Sequence, residues 1–302
     1  MMGNQERPGF SVVWTRGKGC RELAGLLTEA EPVRVEGDLA KACVDQRAQL
    51  LVGRRMTSFD LVSVAVPNDL DLDKADAVVG AIGGGPHSLL VARITARLAY
   101  VLDLPATLAT ATAAAEAESD ERAADILNEV ASSVPGIEVK LLAEPGWSRF
   151  AGALSAGALL VLGAPGGSFL DRALFGPGRR LRAGAPAGAV MVREAPTRVF
   201  QRMGDPVFVG PLHPVADTLR LHREGMLAVA ENGRLLGMVT RRALEGAAPS
   251  TLVGDVMESA RSVRLDQALS EVTILVPEFG SDPIPVVDEE GRLVGGLVLD
   301  AA

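Results

Sequence analysis

Five short apolar runs between residues 77 and 194 set the strongest constraint on this chain: AVVGAI, PATLATAT, IEVKLLAE, ALLVLG and AGAVMVR. AVVGAI and ALLVLG are apolar at every position, the pattern of a strand covered on both faces. Between the runs lie stretches of helical spacing: HSLLVARITARLAYVLDL, then Ser119 to Ser133 with Asp120 and Glu121 placed to favour a helix start, then WSRFAGALSA. Strands alternating with helices pair in parallel through helical crossovers. Residues 77–194 are therefore expected to form an open, doubly wound α/β sheet.

The preceding stretch, 9–67, shows the same alternation in shortened form. FSVVW, PVRVEGD, QLLVG and LVSVAVP read as strands, RELAGLL and LAKACVDQR as helices. The acidic segment NDLDLDKAD, Asn68 to Asp76, reads as a solvated link between two α/β units. It lacks the glycine and the closing Glu of a calcium loop.

From residue 197 to 302 the chain repeats itself. RLLGMVT at 234–240 recurs as RLVGGLV at 292–298, each after a turn signal, Glu231–Gly233 and Asp288–Gly291. Helical stretches, VADTLRLH and LDQALSEVTIL, precede the two copies. The spacing defines a duplicated unit, about 197–248 and 249–302, each reading helix, strand, turn, strand.

Aromatic residues make up only 4% of the chain, so its cores must be built from Val, Leu, Ile and Ala. The net charge of −8 opposes sequence-independent binding to nucleic acid, whose phosphates repel an acidic surface. Cys20 and Cys43 do not make a disulfide framework, and each falls in a helical pattern where buried packing is expected. No apolar run reaches the length that spans a bilayer, and the first residues lack a basic region followed by an apolar one. A soluble cytoplasmic protein with neither a membrane nor a nucleic-acid partner is expected.

The strongest local chemical signal is Gly163-Ala-Pro-Gly166 followed by Gly176-Pro177-Gly178, directly after the buried strand ALLVL. Ligands of open α/β sheets sit beyond the carboxyl ends of the strands. Glycines there let backbone N–H groups reach an anion, and Pro177 suits the first position of a helix, whose N-terminus attracts phosphate. Arg179, Arg180 and Arg182 follow and are placed to neutralise it. Gly83, Gly84 and Gly85 end the strand AVVGAI in the same way. Gly17-Lys18-Gly19 lacks Walker spacing and reads as a turn. His87, His213 and His222 show no metal-ligand spacing and are read as structural. No Ser-His-Asp or paired-carboxylate arrangement stands out, so no catalytic and no metal residue is assigned.

The glycine spacing Gly163-x2-Gly166-x9-Gly176 resembles the signature of ATP-binding universal stress proteins, and the likeness extends over the whole 77–194 region. Family members continue with Ser or Thr where this chain has Pro177, and end the first strand in Asp-Gly-Ser where it has Gly83 to Gly85. VRVEGDLAKACVDQRAQLLVG in 9–67 is similar to the third strand, helix and fourth strand of that family, which implies a truncated partner that packs rather than binds. The 197–302 region resembles a tandem pair of cystathionine-β-synthase-type (CBS) domains. RLLGMVTRRAL follows their Gly-hydrophobic-x-Thr-x-x-Asp element up to Thr240, with Ala243 in place of Asp; in the second copy Val298 and Ala301 replace Thr and Asp.

These resemblances imply a non-catalytic regulatory sensor that self-associates as a homodimer. ATP would lie on Gly83, Gly84, Gly85, Gly163, Gly166, Gly176, Pro177 and Gly178, and AMP or another adenosyl nucleotide at Thr240. The alternatives are a ligand-free dimerising scaffold and a slow ATPase.

Overall fold

The computed structural model describes residues 9–56, 59–83, 85–111, 117–142, 155–164, 185–222 and 225–299. The chain divides into two units, Met1–Ala195 and Pro196–Ala302.

Unit one opens with strand β1 (Val12–Trp14), helix α1 (Cys20–Leu27), β2 (Val33–Arg34), α2 (Leu39–Asp45), β3 (Leu50–Val52) and β4 (Ser63–Asn68). It continues with β5 (Ala77–Ala81), α3 (Ser88–Leu102), β6 (Ala106–Ala111), α4 (Ala117–Ser132), β7 (Glu138–Leu142), β8 (Ala158–Gly163) and β9 (Ala189–Arg193). All nine strands join one sheet in the order β2-β1-β3-β4-β9-β8-β5-β6-β7. Every pairing is parallel except β4 with β9, which run antiparallel from Val64↔Arg193 to Asn68↔Ala189.

The strands of 9–67 and of 77–194, read above as two α/β units, thus share a sheet. The reason is visible in β4. Val64 and Ala65 are fully buried and Val66 nearly so. An edge strand this apolar would expose unpaired backbone beside a hydrophobic surface, and β9 covers it. The acidic segment after β4 exposes Asp69, Asp73 and Asp76, as expected of a solvated stretch, but is also tied to the sheet. The Asp71 amide donates to the Ala187 carbonyl at 3.1 Å, and the Asp76 carboxylate accepts from the Gly157 amide at 3.1 Å and from the Ser155 hydroxyl at 2.5 Å.

Alternation along the central strands sorts two apolar layers. Val78 and Ile82 of the β5 run, with Leu159 and Val161 of β8, face one layer, together with Leu23 and Leu27 of α1 and Leu90, Ile94 and Leu98 of α3. Val79, Ala81, Leu160 and Leu162 face the other. Each fully buried Leu or Ile contributes roughly 1.5–3 kcal/mol. Both cysteines are free and buried, and burial pushes the Cys43 thiol up to about 12.

Unit two contains two equivalent three-stranded sheets. The first orders β10 (Phe208–Val209), β11 (Met226–Glu231) and β12 (Arg234–Thr240); the second orders β13 (Val263–Arg264), β14 (Ile284–Val287) and β15 (Leu293–Leu297). In each, a parallel pair is followed by an antiparallel hairpin. The repeated hairpins were legible; the two-residue strands β10 and β13 were too short to show a period.

The repeated glycine has a steric cause. A Cβ on Gly237 would lie 2.6 Å from the Glu258 carbonyl oxygen, and one on Gly295 would lie 2.9 Å from that of Gly204. Each hairpin therefore receives another backbone segment at close range: Met238 and Glu258 exchange two hydrogen bonds, as do Gly204 and Gly296.

Candidate functional site

Counted from β5, the second half of the large sheet has the order 3-2-1-4-5. Its strand order reverses between β5 and β8, and the crevice outside their carboxyl ends is where open α/β sheets bind ligands. The register pairs Ala81 with Leu162. Gly163 therefore lies one residue, and Gly83 two residues, beyond the last pair. Among the described residues, nothing lies within 4 Å of where a side chain on Gly83 or Gly85 would begin, and both glycines are exposed. Gly84, Gly166, Gly176, Pro177 and Gly178, with Arg179, Arg180 and Arg182, lie outside the described residues.

The first turn of α3 completes this crevice, and the protein itself fills part of it. Gly163 faces His87, the residue before α3; a Cβ on Gly163 would lie 3.2 Å from that of His87. The Nδ1 of His87 accepts a hydrogen bond from the Glu194 amide at 3.1 Å. The Glu194 carboxylate in turn accepts from the Leu90 amide, in the first turn of α3, at 3.3 Å. Helix N-termini carry unsatisfied N–H groups and attract anions. At α3 a side-chain carboxylate, that of Glu194, takes this place; the helix start expected to attract phosphate, at Gly176–Pro177, lies outside the described residues.

The two groups titrate in keeping with this burial. Desolvation raises the Glu194 carboxyl above its ordinary value, although the Leu90 N–H bond and the Arg93 charge pull the other way. Burial, helped by the charge of Arg193, lowers the His87 imidazole, which favours the neutral form that Nδ1 needs in order to accept.

Sequence reading did not single out Glu194 and took His87 as structural, a role that its hydrogen bond to the Glu194 amide fits. The available signal was the His87-Ser88 pair at the start of the helix and an acidic residue just after the last strand. Nothing local ties residues 104 and 107 positions apart.

The first half has its own reversal, with the order 2-1-3-4. A cavity of about 240 Å³ opens at this end of the strands, between Lys18, Gly19 and Glu22, Arg54, and Pro67 to Leu70. Gly17 to Gly19 form the turn into α1.

Thr240 belongs to unit two and ends β12. Its hydroxyl caps the Arg241–Glu245 helix, accepting from the Ala243 amide at 3.2 Å. Ala243 packs against the apolar cluster of Val215, Leu227, Val239 and Leu244. Replacing Thr240 by Ala should cost about 1 kcal/mol through loss of this cap. Thermal denaturation measures it, and an unchanged midpoint would show that the hydroxyl does not cap the helix.

Among the described residues, no three of His, Cys, Asp and Glu are grouped to hold a metal ion, and no helix is long and apolar enough to cross a membrane.

No protein-family model matches the chain. A 73-residue stretch is 42% identical to the magnesium transporter MgtE of Thermus thermophilus, covering 24% of this chain and 16% of that one. The chain thus spans about a sixth of the curated relative that it matches.

Among solved structures, the CBS domains of a transcriptional regulator from Streptococcus pneumoniae are similar to 33% of this chain and 92% of their own, at 22% identity and a TM-score of 0.31. A CBS domain pair/ACT domain protein from Thermotoga maritima matches 34% of this chain and 89% of its own, at 22% identity and a TM-score of 0.31. The CBS-pair protein CBSX2, known from Arabidopsis thaliana, matches in its complex with AMP over 33% of this chain and 89% of its own, at 26% identity and a TM-score of 0.30.

Proposed function

We propose that this chain is a non-catalytic regulatory protein that binds an adenine nucleotide at the β5–β8 crevice of unit one. The observation that carries the reading is the strand order. It brings Gly83, Gly85 and Gly163 to the switch point beside the first turn of α3. The choice of ATP rests on the glycine spacing shared with universal stress proteins. Unit two enters through its duplicated hairpins, and AMP or another adenosyl nucleotide is the ligand that its CBS-like repeat implies. Binding regulates by favouring one arrangement of the chain over another, which requires different affinities for the two.

One observation favours a second reading, a ligand-free scaffold. Glu194 already satisfies the Leu90 amide, and the Thr240 hydroxyl is engaged in its own helix cap.

Calorimetric titration of the full chain with ATP, ADP and AMP, with and without Mg²⁺, separates the two. The sensor reading expects saturable heat with a Kd on the order of micromolar for at least one nucleotide. Absence of heat with all three at millimolar concentration sinks it. Mass spectrometry of small molecules released on denaturation checks for a nucleotide that has co-purified.

A further inference from the structure

The first half of the sheet, expected to pack rather than to bind, repeats the plan of the second. Outward from the β4–β9 seam the strand orders are β4-β3-β1-β2 and β9-β8-β5-β6. Within each half every pairing is parallel. The β1–β3 reversal is thus the counterpart of the β5–β8 reversal, and it opens into the cavity of about 240 Å³. Four charged side chains line that cavity: Lys18 in the turn after β1, Glu22 in α1, Arg54 after β3 and Asp69 after β4. All four are exposed. Among the described residues none of them forms an ion pair, although two cations and two carboxylates border one space. Pro67 and Leu70 supply an apolar wall. The left-handed turn at Gly19, φ +73°, runs close to it: a Cβ there would lie 3.3 Å from the Cβ of Pro67 and 3.8 Å from Leu70 Cδ1. Glycine at 19 leaves that wall uncovered.

We propose that this cavity is a second ligand site, independent of the β5–β8 crevice, and that it takes a small zwitterion of the free α-amino-acid class. The ligand's carboxylate lies toward Lys18 and Arg54, its ammonium toward Glu22 and Asp69, and a short side chain against Pro67 and Leu70.

Size and charge carry the argument. A water molecule takes about 30 Å³ of liquid, so the cavity has room for roughly eight. Sites that enclose drug-sized ligands begin near about 300 Å³, so a compact molecule suits this one better than a nucleotide. A phosphate drawn to Lys18 and Arg54 would be repelled by the Glu22 and Asp69 carboxylates, and a simple amine would meet the reverse. A ligand that carries both signs gains from both pairs. Ion pairs between exposed groups are individually weak, so the site must use several at once and its affinity is modest.

Ligand-observed NMR on the full chain tests this with glycine, L-alanine, L-serine and L-proline. Acetate, methylammonium and inorganic phosphate serve as probes of a single sign. The proposal expects saturable binding of at least one amino acid with a Kd of about 1 mM or lower, and about tenfold weaker binding of each single-sign probe. Arg54→Gln and Asp69→Asn should each weaken the amino acid about tenfold. Asparagine tolerates the φ of +47° at position 69, so that variant keeps its backbone. Arg55→Gln removes a neighbouring exposed charge that does not line the cavity, and it should bind like the parent. Circular dichroism checks the fold of all three. No saturable binding of any of the four amino acids at about 10 mM, well above the expected Kd, overturns the proposal. So does parent-like binding by Arg54→Gln or Asp69→Asn, or phosphate binding tighter than every amino acid. ATP plays no part in the measurement, so failure here leaves the nucleotide reading of the β5–β8 crevice untouched.

Discussion

Replacing Gly188 by valine should destabilise unit one by on the order of 2–5 kcal/mol, summing a left-handed backbone penalty and overpacking. Gly188 has φ +88°, a region that side chains with a Cβ rarely adopt. A Cβ there would lie 2.5 Å from the Asp69 carbonyl oxygen and 2.7 Å from its carbon. Both are backbone atoms, so no side-chain rotation relieves the overlap. Asp69 is itself held at φ +47°, which leaves that turn little freedom to move away.

The position also matters for topology. Gly188 directly precedes β9, whose first residue, Ala189, pairs with Asn68 at the seam between the two halves of the sheet. Its carbonyl accepts from the Leu160 amide at 3.1 Å. Gly25 is the contrasting control. It lies in α1, and a Cβ there would meet nothing within 4 Å. Gly25→Ala should stabilise by about 0.5–1 kcal/mol, because glycine is a poor helix residue. Urea denaturation followed by circular dichroism reads both. A Gly188→Val protein with the parent's midpoint would mean that the seam is not built this way.

That seam marks the boundary of what local sequence pattern reveals. The nine strands of unit one and the two hairpins of unit two are each legible as runs of Val, Leu, Ile and Ala of the right length, because periodicity is a property of neighbouring residues. The joining of β4 to β9 is not, since Val64 and Arg193 are brought together only by the fold. Composition tells only part of the story at Asn68 to Asp76. Four acidic residues within that stretch suggest solvation, and Asp69, Asp73 and Asp76 are exposed, yet the Asp76 carboxylate also ties down the Gly157 turn and the Asp71 amide bonds to Ala187.

The candidate site divides in the same way. Gly83 and Gly163 stood out as candidates because a glycine after a buried strand is a local signal with a known use. The carboxylate at the first turn of α3 did not, because Glu194 looks like any polar residue at the end of a strand. Its role comes from a tertiary contact with Leu90. The CBS-like element shows the converse. Thr240 fits the motif, and its hydroxyl is bound by its own helix, a contact three residues away that the motif alone does not distinguish from a ligand contact.

Arg97→Met should lower the stability of unit one by about 2–4 kcal/mol, the range expected when hydrogen bonds from a buried charge are lost. Arg97 lies on α3 with 7% of its surface exposed. Its Nε donates to the Leu26 carbonyl at 3.2 Å and a terminal nitrogen to the Thr28 carbonyl at 2.7 Å, both at the end of α1. The carbonyls at a helix C-terminus have no partners within the helix and carry partial negative charge, so a guanidinium there is doubly favourable. Glu29, at 3.7 Å and largely exposed, adds little by comparison. Arg93, one turn earlier on α3, lies over the Phe10 ring at 4.8 Å and strengthens the same junction.

Methionine keeps an apolar stem of similar length, so the loss isolates the hydrogen bonds from the packing. Arg97→Lys, with a single nitrogen, cannot bridge two carbonyls and should cost about 1–2 kcal/mol. Because α1 belongs to the first half of the sheet and α3 to the second, the consequence should spread across both. Hydrogen exchange in β1 to β4 and in β5 and β6 should rise together in the Met variant. If only the peptides of β1 to β4 loosen, the halves are separate folding units that merely touch. If neither loosens and the urea midpoint stays where it was, the buried guanidinium does not join α3 to α1.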